Sequence, residues 1–260
     1  MVDAPWSGDT VSLVEAFRNG ERSPVEELDA TLAAIEASDI NAFSFLDPDG
    51  ARKAAANADV TQPFGGVRDG FSALTESARR AKASALAPTI RGLASTDRPM
   101  VGHFTDADVV LDFLASEKAP ALAALGTSCP DHFLRTKVKP LILDLPADAP
   151  IEDAIARLKE LHVAYRTEYQ AYYDAHADAD SPAIRGADPL IVLVPGVGMF
   201  SYGANKQTAR VAGEFYVNAI NVMRGAEALS TYAPISDAEK FRIEYWALEE
   251  AKLQRMPKPK

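Results

Sequence analysis

Only one cysteine, Cys129, occurs in the 260 residues. An intrachain disulfide is therefore excluded, which fits a reducing cytoplasm as the expected location. No run approaches eighteen apolar residues, so no membrane-spanning helix is expected. The opening segment, Met1-Val-Asp-Ala-Pro-Trp6, lacks a basic region followed by an apolar stretch, and no signal peptide is expected. Positive charge is in deficit, with 27 Lys and Arg against 37 Asp and Glu and a net charge of -10. That balance argues against a role on nucleic acid, whose backbone calls for cations, and against an anionic membrane surface. There are four histidines, with no His-x-His pair. No Gly-x-Gly-x-x-Gly follows a strand, so no nicotinamide site is expected, and no other cofactor.

The apolar fraction of 47% is ordinary for a chain with a real core, and the length suits one large domain or two small ones. The most strongly patterned stretch is Pro189–Gln254. A β-branched run, Leu190-Ile-Val-Leu-Val194, reads as a central strand. A tight turn, Pro195-Gly-Val-Gly198, leads through Met-Phe-Ser-Tyr-Gly203 into a long apolar-periodic helix over 206–229 and a second over 236–255. Upstream, Asp9 or Thr10 starts a helix to about Asn19, stopped by Gly20. Ser23-Pro24 with Glu26 forms a capping box for the next, and Asn41–Leu46 alternates as a short strand before an alanine-rich helix to Asp59. Residues 70–98 read as helical with a break near Pro88. Then come a strand over 99–104, a helix over 106–114 capped by Thr105, a turn at 120–125, a strand over 140–143 and a long helix from 149 or 150 to about 175. The last carries Ile155, Leu158, Leu161 or His162, Tyr165 and Tyr169 on its apolar face.

Ser23-Pro24-Val25-Glu26, Asn41-Ala42-Phe43 and Pro63-Phe64-Gly65-Gly66-Val67 resemble the N-terminal segment of the amidase signature family over residues 11–67. That family hydrolyses amides with a lysine just beyond the Phe-Gly-Gly segment and two later serines. Here Val67 is followed by Arg68-Asp69-Gly70-Phe71, without a lysine, and no Gly/Ser-rich nucleophile region appears later. The resemblance omits the chemistry.

A longer resemblance covers residues 100–260. Its motifs are Gly126-Thr-Ser-Cys-Pro-Asp-His-Phe-Leu-Arg-Thr-Lys137, Pro195-Gly-Val-Gly-Met-Phe-Ser-Tyr-Gly203, Ala212-Gly-Glu-Phe-Tyr216, Glu244-Tyr-Trp246 and Glu249-Glu-Ala-Lys-Leu253. They are similar to one region of the bifunctional aldolase/short-chain dehydrogenases related to rhamnulose-1-phosphate aldolase. The resemblance implies an α/β fold: a class II aldolase-like three-layer α/β/α domain, here with a mainly helical N-terminal extension. It also implies a homo-oligomer. Class II aldolases hold zinc through a His-x-His pair and a third histidine, and at the matching turn this chain has Pro195-Gly196-Val197-Gly198 instead. Residues 256–260 look like a linker to the relatives' dehydrogenase domain. The organisation expected is an amidase-like segment over 1–67, a helical junction over 68–99 and the aldolase-like domain over 100–260, joined as a chimera.

Chemistry-bearing residues concentrate in two places. Asp131-His132 with Arg135 and Lys137 offers an acid/base histidine beside two anion-binding cations; an inherited turn and cap is the plainer account of the same residues. Beyond the glycine turn, Gly196, Gly198, Ser201 and Tyr202 offer backbone amides and hydroxyls to an anion, or merely a tight bend. On the long helix Glu214, Asn218 and Asn221 share a side, where a buried carboxylate would serve as acid or base. The set expected to act is His132, Asp131, Glu214 and Tyr202, with Arg135, Lys137, Gly196, Gly198, Ser201 and Asn218 on the substrate. No metal is expected, since His103, His162 and His176 are scattered and zinc needs three or four converging ligands. The function implied is an aldolase-like enzyme with lyase or hydrolase activity on a small anionic or carbonyl substrate. The alternatives are a non-catalytic oligomerisation or ligand-binding domain and an amide or ester hydrolase.

Overall fold

The computed structural model describes residues 4–39, 46–60, 63–127 and 129–255. Two compact units divide the chain: Met1–Gly65 with Arg224–Thr231, and Gly66–Met223 with Tyr232–Lys260.

The first unit contains α1 (Thr10–Arg18), α2 (Pro24–Glu36) and α3 (Pro48–Val60). Asp9 caps α1 by accepting from the Ser12 amide, and Ser23 and Glu26 close the expected capping box on α2. The Glu27 carboxylate ties the segment before α1 to α2, accepting from the Trp6 amide at 3.1 Å and pairing with Arg22 at 2.7 Å. Arg52 of α3 reaches Asp29 of α2 at 2.7 Å. The strand expected over Asn41–Leu46 lies, but for Leu46, outside the described residues.

In the second unit the order is α4 (Glu76–Leu93), β1 (Val101–Thr105), α5 (Asp108–Ala115), α6 (Ala119–Leu125), α7 (Pro130–Thr136), β2 (Leu141–Ile142), α8 (Ile151–His176), β3 (Ile191–Val194), β4 (Gly198–Gly203), α9 (Lys206–Leu229, its end in the first unit), α10 (Asp237–Glu244) and α11 (Ala247–Arg255). The strands form one sheet in the order β1-β4-β3-β2. β3 and β4 are an antiparallel hairpin with Ile191 opposite Ser201, β1 runs antiparallel to β4, and β2 runs parallel to β3.

Alternation along the two central strands decides the layers. Val192, Val194, Phe200 and Tyr202 face one way and join Leu86 and Ile90 of α4 with Ala154, Leu158 and Tyr165 of α8. Each fully enclosed leucine or isoleucine in that layer contributes about 1.5–3 kcal/mol. On the opposite face α9 lies against β4 through small residues: the Ser201 hydroxyl donates to the Ala209 carbonyl at 2.7 Å, and a Cβ at Gly213 would stand 2.8 Å from that hydroxyl. Helices thus cover both faces of the sheet, giving the expected three-layer α/β/α arrangement. Among the described residues no helix is long and apolar enough to cross a membrane.

Several boundaries differ from those expected. α4 runs through Pro88 rather than breaking there, because Leu86 and Ile90 on either side are sealed into the core and hold the helix across the missing bond. The residue before α5 is Ala107, and Thr105 reaches only the Ala107 amide, at 3.4 Å. The single helix expected over 236–255 is two, since Tyr245 leaves helical geometry to stack on Phe241 at 4.7 Å and to sit under the Arg185 guanidinium.

Candidate functional site

The glycine turn is closed by packing. Gly196 has φ 72° and Gly198 φ 145°. A Cβ at Gly196 would lie 2.2 Å from the Ala147 Cβ and 2.9 Å from the Ser72 carbonyl; one at Gly198 would lie 2.6 Å from the Thr105 carbonyl. The Gly196 carbonyl accepts from the Leu74 amide at 2.9 Å. These glycines therefore admit the close approach of neighbouring backbone. Ser201 and Tyr202 point to opposite faces of the sheet. Ser201 is spent on the Ala209 carbonyl, and Tyr202 lies in the apolar layer, where burial pushes its phenol well above the ordinary range.

Glu214 is exposed on α9 and pairs with Arg210 one turn earlier; Asn218 is exposed further along. His132 is buried in α7 with its ring edge-on to Phe215 at 5.1 Å between centroids. The Asp131 side chain lies outside the described ones. Arg135 is half-buried in the last turn of α7, and Cys129 is the half-buried residue before that helix. His132, Glu214 and Tyr202 thus stand in three different settings, because the strand alternation and the turn of α9 that place them follow packing.

Two polar networks that sequence reasoning missed lie elsewhere. The first centres on Asp188, just before β3. Its carboxylate accepts from the Thr96 amide and hydroxyl, each at 2.6 Å, from the Asp97 amide at 3.0 Å and from Arg166, and lies 3.0 Å from His162 Nε2. Burial pushes its pKa up, but the contacts with His162, Thr96, the Asp97 amide and Arg166 together hold it far below the usual carboxylate range. Asp97 repeats the theme, pairing with Arg166 at 2.8 Å and accepting from the Ala187 amide at 2.7 Å. The signal in the sequence was a carboxylate directly before a wholly buried strand, which requires partners.

The second network lies between α8 and α10. Glu244 is buried, accepting from Tyr169 at 2.6 Å and from Tyr172 at 3.3 Å, while the Tyr169 hydroxyl also meets Tyr245 at 2.8 Å. Burial raises the Glu244 carboxyl against the opposing pull of Lys137, Tyr169, Arg185 and Tyr172. Arg185 pairs with Glu250 and donates to the Glu244 carbonyl. Lys137 is buried, donates to the Gly186 carbonyl at 2.7 Å and sits 3.5 Å from the Tyr169 ring centroid. Burial lowers its ammonium to about 8, with Glu244 opposing and Arg185 and Arg98 assisting. Its backbone, φ 60° and ψ -177°, occupies a region that is nearly exclusive to glycine and costs about 1–3 kcal/mol. Lys137 was expected on an anionic substrate; its ammonium is instead turned to a carbonyl and an aromatic face.

Beside this network is a cavity of about 440 Å³. Tyr165, Tyr169, Tyr172 and His176 of α8 form one wall, and Lys139 and Lys240 stand at the others. The tyrosine hydroxyls are turned to the Lys139 carbonyl and to Glu244, which leaves the rings to the cavity. Lys139 pairs with Glu168, and Lys240 with Asp237 at 2.9 Å.

Among the described residues no three histidine, cysteine, aspartate or glutamate side chains are grouped to hold a metal ion. His103 is on β1, His132 on α7, and His162 and His176 lie fourteen positions apart on α8.

The chain is similar to known proteins over most of its length. Over 195 residues, 75% of this chain, the sequence is 36% identical to "Uncharacterized oxidoreductase YuxG" of Bacillus subtilis (strain 168). The chain spans 28% of that protein's length. No solved structure matches. Residues 81–253, which run from within α4 to within α11 and so take in the whole sheet and both buried networks, match the model of "Aldolase class II, second domain", and the chain belongs to that family.

Proposed function

We propose that this class II aldolase-family domain binds a small, hydroxyl-rich carbonyl compound in the cavity along α8, as the ligand-holding part of an aldolase-type protein. The observation that carries this reading is the cavity's wall: three tyrosine rings on one helix face, with cation–carboxylate pairs opposite. Ring faces suit the C–H faces of a polyol, and the ion pairs supply donors and acceptors for its hydroxyls. Lys139 with Glu168 and Lys240 with Asp237 cancel in charge, which favours a neutral ligand.

Titration calorimetry with dihydroxyacetone, glyceraldehyde and their monophosphates tests this. Saturable binding is expected, weakened about tenfold or more by Lys139→Ala or His176→Ala and unchanged by Glu214→Gln on exposed α9. Binding that ignores the first two substitutions, or no saturation by any of the four compounds, overturns the reading.

A further inference from the structure

We propose that the open edge of β1 pairs with the same edge of a second copy of this chain, joining two four-stranded sheets into one continuous sheet. The order β1-β4-β3-β2 leaves β1 and β2 at the margins. β2 is two residues long and follows Pro140, which has no N–H to give, so that margin is blunted. β1 is five residues, Val101–Thr105, with no proline, lysine, arginine or carboxylate to guard it.

The alternation of hydrogen bonds decides what β1 shows to the outside. The Tyr202 amide donates to the Leu190 carbonyl, so Tyr202 and Phe200 aim their backbone groups at β3. Met199, Ser201 and Gly203 therefore aim theirs at β1, where they stand opposite Thr105, His103 and Val101. The N–H and C=O of Gly102 and Phe104 then point away from the sheet. Among the described residues no backbone hydrogen bond from outside the strand takes them up. Open backbone groups of this kind are the template on which another strand adds.

The edge is complementary to itself. An antiparallel pair centred on His103 sets Gly102 opposite the partner's Phe104, and Phe104 opposite the partner's Gly102. Each such pair exchanges both of its N–H···O=C bonds. The contact is isologous, so one register satisfies both edges. Gly102 has no side chain to stand against the partner's Phe104, and the Tyr202 ring already leans over it, 2.9 Å from where a Cβ would be. Val101, 39% exposed, meets the partner's Thr105, and β-branched residues suit such a pair. Charge sets the direction. Arg98, exposed, leads into β1, and Asp108, exposed, follows it. Antiparallel pairing brings the basic end of one edge to the acidic end of the other, whereas parallel pairing would set Arg98 beside the partner's Arg98. None of these residues lines the cavity along α8.

Light scattering on the intact chain at roughly 100 μM, where a micromolar complex is saturated, should give twice the mass of one chain. Cross-linking fixes the register. In a Cys129→Ser background, His103→Cys should oxidise to a disulfide-linked dimer in high yield, because residue 103 meets its own copy. Thr105→Cys should not, because it meets residue 101. Phe104→Pro removes an outward N–H and none of the bonds to β4, and it should shift the protein to monomer. Since that change also trims a half-buried ring, the comparison of 103 with 105 decides independently of it. A monomer at that concentration, which would leave the edge to a strand of another protein, overturns the proposal. So does a dimer that cross-links through 105 as readily as through 103.

Discussion

Tyr169 donates its hydroxyl proton to the Glu244 carboxylate at 2.6 Å, inside the packing of α8 against α10. The carboxyl is nonetheless held above its ordinary value, since burial outweighs Lys137, Tyr169, Arg185 and Tyr172 together. A raised carboxyl binds more protons in the native state than in the unfolded one. Stability therefore falls as pH rises from the unfolded value of about 4.3 through the raised folded value. Glu244→Gln is expected to flatten that fall. Urea midpoints at a series of pH values from 4 upward would show it, and an unchanged slope in the variant would contradict it.

Lys137 produces the opposite trend at high pH. Its folded value of about 8 lies below that of the unfolded chain, so between about 8 and roughly 10.4 the unfolded state holds more protons. Stability should rise with pH across that window. In Lys137→Met the rise should vanish, as judged from thermal midpoints.

Asp188 joins the segment after α4 to the segment before β3 through five contacts. Replacing it with alanine leaves buried His162 and two backbone amides without this acceptor, while Arg166, about a third exposed, keeps Asp97, at an expected cost of about 1–3 kcal/mol. Because its pKa is depressed, the stability it supplies is complete above the unfolded value of about 3.9 and is lost only as pH falls toward the folded one. The variant should lose a large share of its denaturation free energy at pH 7, and the gap to the unaltered chain should narrow at strongly acid pH.

Two glycines separate close packing from open space. At Gly196 an alanine methyl would overlap Ala147 and adopt φ 72°, so Gly196→Ala should cost about 2–4 kcal/mol. At Gly225 in α9 nothing lies within 4 Å of an added Cβ, so Gly225→Ala should stabilise by roughly 0.5–1 kcal/mol. Chemical denaturation of both variants checks the contrast. Equal effects would contradict it.

Elements were legible wherever a local rule governs them. The capping box at Ser23 and Glu26, the central strand ending at Val194 and the helix over 206–229 all formed as expected. Tyr165 and Tyr169 were visible as one face of α8, since spacings of three and four share a face. What that face bounds was not visible, because the cavity's other walls come from Ala124, Val138 and Lys139 and from Asp237 and Lys240.

Sequence patterning alone determined the strand run, the long helices, the small residues of α9 that meet β4 and the family to which these motifs belong. Tertiary structure alone decided the polar sites. Asp188 finds Thr96 ninety-two positions away and Tyr169 finds Glu244 seventy-five away. Periodicity records which side of an element is apolar, but the partner of a buried charge is set by how distant elements pack.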